Sequence, residues 1–141
     1  MFSDNREQLR NFYFETWKKA RQGLPLSALE QQITGVIADH PEYHAYLNNE
    51  HSLEAEFPPE LGQTNPFLHM GLHLGIREQV QTDRPAGIVS VYQKLIKKHS
   101  PLEAEHLMME HLVESIWQAQ RNGSMPDEQA YLAKLLLLIK P

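Results

Sequence analysis

The chain has 141 residues, a formal net charge of −5, eight histidines and no cysteine. The length suits one domain with a real hydrophobic core, and the missing cysteine excludes disulfides, thiolate zinc sites, iron–sulfur clusters and cysteine nucleophiles. The basic residues are scattered apart from Lys18–Lys19 and Lys97–Lys98, so nucleic acid is not an expected partner. The longest strongly apolar run, 135–139, is far too short to span a membrane. The first residues are polar and carry no signal-peptide core, which sets the expectation of a soluble cytoplasmic protein.

Residues 4–22 predict a first helix, with Ser3 as cap and Gly23 as stop. Leu9, Phe12, Tyr13, Trp17 and Ala20 recur at helical spacing and read as core. A second helix is expected over 27–39, with Leu29, Ile33, Val36 and Ile37 as its apolar stripe. His40 precedes Pro41, so the chain should break there. Pro41 then opens a short helix that carries His44, Tyr46 and Leu47.

Residues 48–64 contain Pro58, Pro59 and Gly62 and read as irregular. His51 within them reads as a surface residue. Asn65 and Pro66 are good residues for a helix cap and first position. The helix they open, near 66–80, is the expected centre of the fold. On a wheel, Phe67, Met70 and Leu74 take one side, and Leu68, Leu72, Ile76 and Val80 another. His69 and His73 fall between them, about 40° apart. Only a strip with Gly71, Gly75 and Glu78 suits solvent or close helix contact, so this helix is expected to be buried.

A turn over 82–85, with Asp83 as cap, leads into a helix reaching about 98 through Ile88, Val91, Tyr92, Leu95 and Ile96. Ser100, Pro101 and Glu103 form a capping-box pattern. The helix behind it should run to about 121, with Met108, Met109, Leu112, Val113, Ile116 and Trp117 on its apolar arc. Glu105 and His106 point into that arc, Glu110 lies at its margin, and His111 points away. The last helix, from 126, packs through Tyr131, Leu132, Leu135, Leu136 and Ile139. No alternating strand pattern, repeat or linker interrupts the series. The expectation is a single all-α domain over 1–141, a bundle of five or six helices.

Helical spacing of four places two side chains one turn apart on one face, where both reach one ion. Three segments have such spacing: His40 with His44, His69 with His73, and His106 with Glu110. With eight histidines in 141 residues, chance yields roughly 0.4 histidine pairs four apart, against the two present. His69 and His73 also lie on a buried face, where imidazoles need partners. Those six residues are therefore candidate ligands for a divalent metal, with zinc, iron and manganese all compatible. Glu105 is either a further ligand or an acceptor that orients a histidine ring. Met108 and Met109 read as packing. No phosphate loop, nucleophile elbow or His-Glu-x-x-His motif is present, and no catalytic residue is identified.

His40-Pro-Glu-Tyr-His44, Asn65-Pro-Phe-Leu-His69-Met-Gly-Leu-His73, Arg77-Glu78-Gln79, residues 83–88, Glu105-His106-x-Met-Met-Glu110 and Trp117-Gln-Ala-Gln-Arg121 together resemble a bacterial family, domain of unknown function 1841. The resemblance covers essentially the whole chain. It implies a small cytoplasmic domain and brings no activity with it. The ligand spacing is also loosely similar to helical di-iron and zinc proteins, but in a different order from hemerythrin and without its fourth-helix ligands.

Three functions follow as expectations. The first is a metal-binding helical protein, with metal-dependent hydrolysis if a coordination position stays open. The second is a metal-free interaction or adaptor module, a homodimer among its forms, for which an apolar surface cluster of Phe2, Phe14 and Phe57 would speak. The third is a di-metal redox or gas sensor, which needs both histidine pairs, His106 and Glu110 to converge.

Overall fold

The computed structural model describes residues 2–49 and 65–140, with side chains from residue 7 onward. Seven α-helices form among the described residues: α1 (Phe2–Arg21), α2 (Ala28–Ala38), α3 (His44–Leu47), α4 (Pro66–Thr82), α5 (Ile88–Leu95), α6 (Pro101–Asn122) and α7 (Glu128–Leu138). A 3-10 turn, Pro41–Tyr43, precedes α3, and no strand occurs among these residues. The all-α class is thus as expected. The count exceeds five or six because the short α3 stands as a separate helix. Among the described residues no helix is long and apolar enough to cross a membrane. By its contacts the chain divides into two compact units, Met1–Gly71 and Leu72–Pro141, and the division falls inside α4.

In the first unit α1 packs on α2 and α3. It starts at Phe2, so Ser3 lies within it rather than capping it. Its end is as expected. Gly23 adopts φ +70°, and the Leu24 N–H donates to the Lys19 carbonyl at 3.0 Å, closing the last turn. Ser27 and Glu30 form a full capping box at the start of α2. Glu30 also takes Lys19 Nζ at 2.9 Å. These contacts hold the Glu30 carboxyl below its ordinary value, the Ser27 backbone bond first and Lys19 next. Ile33, Val36, Ile37 and Leu47 are buried.

Aromatic rings close this unit around the start of α4. Phe67 lies 5.5 Å from Tyr13, 5.7 Å from Tyr46 and 6.3 Å from Phe14, ring centre to ring centre. The buried Arg10 guanidinium sits 4.9 Å from the Phe67 ring centre. Such edge and cation–π contacts add to area burial by about 0.5–1.5 kcal/mol per pair. Phe14 is buried, so it does not join an apolar surface cluster. The Phe2 side chain, Phe57 and His51 lie outside the described residues.

In the second unit Ile76, Ile88, Val91, Leu95, Ala104, Met108, Met109, Tyr131 and Leu135 form one core. Asp83 caps α5 from a distance: its Oδ1 accepts from the Gly87 and Val89 N–H groups, each at 3.1 Å. The helix ends at Leu95 rather than near 98, because the Lys97 and Lys98 N–H groups reach back three residues and tighten the last turn. Ser100 Oγ accepts from the Glu103 N–H at 3.1 Å, while the Glu103 carboxylate lies 3.6 Å from His99 Nδ1. Only the serine half of the expected box is made there. Asp127 caps α7, and Lys134 Nζ pairs with Glu114 at 2.6 Å across to α6.

Two phenols are locked in these cores. Burial pushes Tyr13 up to about 12 and Tyr131 higher still, even though Tyr131 donates to Gln79 Oε1 at 2.8 Å. An unfolded tyrosine ionises near pH 10. Because the folded values are raised, the unfolded chain loses these protons first. Stability should therefore be flat to about pH 10 and fall as pH rises toward 12. Denaturation midpoints read across that range, with phenolate absorbance followed in parallel, check it. An unchanged midpoint at pH 12 would contradict the burial of both phenols.

Candidate metal centre

The start of α4 is set by Asn65, whose Oδ1 accepts from the Phe67 and Leu68 N–H groups at 2.9 and 3.2 Å, with Pro66 at the first position. Phe67, Met70, His73 and Ile76 are buried. Leu68, Gly71 and Glu78 are exposed, so the solvent strip is slightly wider than the wheel suggests. Along one stripe of the helix, four residues apart, come His69, His73 and Arg77.

His40 is 2% exposed and sits just past the end of α2. Its Nδ1–H donates to the Val36 carbonyl at 2.7 Å. A carbonyl can only accept, so this bond selects the tautomer with the proton on Nδ1 and the lone pair on Nε2. Tyr43 stacks flat against the ring, 5.4 Å between centres and 6° between planes. His69 meets the His40 ring edge-on at 5.1 Å and lies 6.2 Å from Tyr43.

His73 is fully buried. Its Nδ1–H donates to Glu105 Oε1 at 2.6 Å, and Arg77 Nε donates to both Glu105 oxygens at 3.0 and 3.2 Å. The buried carboxylate thus has two partners, and again Nε2 of the histidine keeps the lone pair. The same charge, after burial itself, pushes the Tyr92 phenol upward. His106, exposed on α6, places its ring 4.7 Å from that of His73.

His40 with His69 and His73 with His106 thus form two imidazole pairs, one in each unit, and His69 and His73 stand one turn apart on α4.

Two of the six candidate ligands lie elsewhere. His44 donates from Nε2 to the Ile37 carbonyl at 2.8 Å, and its ring lies 4.7 Å from that of Trp17. The turn at Pro41–Tyr43 separates it from His40. Glu110 is exposed on α6 and outside the group. Glu105 takes the second of the two roles read for it, orienting a ring. The spacing argument missed the Val36 carbonyl, Tyr43 and Arg77. Two of them had a signal. Val36 is among the last residues of α2, where carbonyls lack helical partners, and Arg77 continues the four-residue stripe of α4.

A family model matches residues 5–136. The chain belongs to that family, described as Domain of unknown function (DUF1841). No curated protein and no solved structure matches the chain.

The Glu105 pairing carries a direct expectation. Glu105→Gln removes the charge that Arg77 and His73 share, and unfolding stability should fall by about 1–3 kcal/mol. Urea midpoints of the two proteins measure it. A loss below about 0.5 kcal/mol, within the range of ordinary surface changes, would mean that the carboxylate does not hold these groups.

Proposed function

We propose that this protein binds one divalent transition-metal ion through His40, His69, His73 and His106. The observation that carries the reading is the two imidazole pairs, His40 with His69 at 5.1 Å and His73 with His106 at 4.7 Å, linked by the one-turn spacing of His69 and His73 on α4. It is supported by the hydrogen bonds at His40 and His73, which direct the Nδ1 protons away and keep Nε2 as the donor atom. A metal-bound histidine commonly gives its other N–H to a carbonyl or a carboxylate, and the two bonds here are one of each.

Four neutral nitrogen donors suit zinc first, and iron or manganese less well, while magnesium and calcium prefer oxygen. What favours one ion over two is the lack of a bridging carboxylate. Glu105 is engaged by His73 and Arg77, and Glu110 is outside the group. His106 is the exposed member, so it is the ligand that water or a substrate oxygen would displace. A bound water would then be acidified and available for hydrolysis. A cytoplasmic location belongs to the same reading and is tested by fractionating cells that produce the chain.

The test is elemental analysis of untagged protein purified without chelator. About one zinc, iron or manganese per chain is expected. His106→Ala, at an exposed position, should lower the content without changing helicity, and His44→Ala should leave the content unchanged. Glu105→Gln should weaken metal affinity about 10–100-fold. Less than about 0.1 metal per chain, with the same unfolding midpoint in EDTA, would overturn the reading.

A further inference from the structure

One long face of α6 is exposed. Counted at 100° per residue, His106, Glu110, Val113, Trp117, Gln120 and Arg121 fall within about 100° of the helix surface, over about four turns. All six are exposed. The far side of the helix carries the buried Ala104, Glu105, Met108 and Ala119.

At the middle of the exposed face stand two apolar side chains one turn apart, Val113 at 44% exposure and Trp117 at 56%. Tryptophan is enriched among the residues that anchor protein interfaces. A charge of each sign flanks the pair. Glu110 lies on the N-terminal side. Arg121 lies on the C-terminal side, with its guanidinium 4.8 Å from the Trp117 ring centre.

The spacing of these four residues is self-complementary. Val113 and Trp117 are centred on position 115, and Glu110 and Arg121 between 115 and 116. The two centres differ by half a residue, about 0.75 Å along the helix. A two-fold axis there lays a second α6 antiparallel on the first. It sets Val113 against the partner's Trp117 and Glu110 against the partner's Arg121, and each pair occurs twice. A parallel pairing would put like charges together and align the two helix dipoles. The pattern reads the same from either end with its charges inverted, as a self-contact requires and a contact with an unrelated protein does not.

We propose that this protein pairs with a second copy of itself through antiparallel contact of the two α6 helices, centred near position 115. One helix pair is small beside the roughly 1,600 Å² of a standard interface, so the dimer is weak, with Kd on the order of 100 μM. The partner's Asn122, the last residue of its helix, would lie opposite Met109, which leaves His106 open. The proposal rests on α6 alone and does not depend on the metal reading.

Sedimentation equilibrium of the full chain from roughly 10 μM to 1 mM, a decade either side of that Kd, tests it. A monomer–dimer equilibrium is expected. Trp117→Ala should weaken it at least about tenfold. Glu110→Arg and Arg121→Glu, both at exposed positions, should each weaken it about tenfold, because each turns two attractive pairs into two repulsive ones. The double variant, Glu110→Arg with Arg121→Glu, restores opposite charges at both places and should recover the original Kd within about threefold. A chain that stays monomeric throughout that range, a dimer indifferent to Trp117→Ala, or a double variant no better than the single ones would overturn the proposal.

Discussion

A neutral imidazole has one donor and one acceptor, and whatever takes the donor decides where the lone pair points. That rule governs the histidine group. His40 gives its Nδ1 proton to the end of α2, and His73 gives its own to Glu105. Both rings are buried, so neither could leave that proton without a partner at low cost. Each ring is thus held by a structural necessity that exists without any ion. The same bonds keep the two Nε2 lone pairs as donors.

Glu105 carries the larger share of the cost. A lone buried carboxylate would pick up a proton or expel itself to water. Glu105 has Arg77 and His73 as partners, one as a charge and one as a hydrogen-bond donor. Pairs of this kind add little net stability over an apolar replacement, because desolvation consumes most of the attraction. They confer a fixed geometry instead. Their placement agrees with that role: Arg77 lies on the same α4 stripe as His69 and His73, so one helix sets the position of two rings and of the cation that pairs with Glu105.

Much of this was legible in the residues, for local reasons. Asn65 with Pro66, Ser27 with Glu30, and the glycines at 23 and 123 mark helix ends because caps are chosen by chemistry a few residues wide. The pair His69 and His73 follows from helical periodicity alone. Other features depend on packing that no local rule contains. His40 and His44 have the same spacing, yet the turn after Pro41 sends one ring to Val36 and the other to Ile37 and Trp17. Glu105 and His106 are neighbours about 100° apart on the helix, and only the docked α6 reveals which becomes the acceptor. His111 looked solvent-facing because a wheel ranks apolar arcs. The polar stripe at 111, 115, 118 and 122 is invisible to that ranking until α7 folds over it.

The members of the histidine group differ in exposure, and the difference is informative. His40 and His73 are buried, His69 is partly buried and His106 is exposed. An ion held only by buried ligands would exchange slowly and be closed to other molecules, as structural zinc sites are. An ion held only by exposed ligands would gain little from the fold. The proposed site falls between these limits. Two rings are fixed by bonds that folding itself requires, and one stands exposed on α6. If an ion is bound there, three ligands define its position while the fourth controls access to it. That asymmetry is what separates a site able to react from one that merely staples helices together.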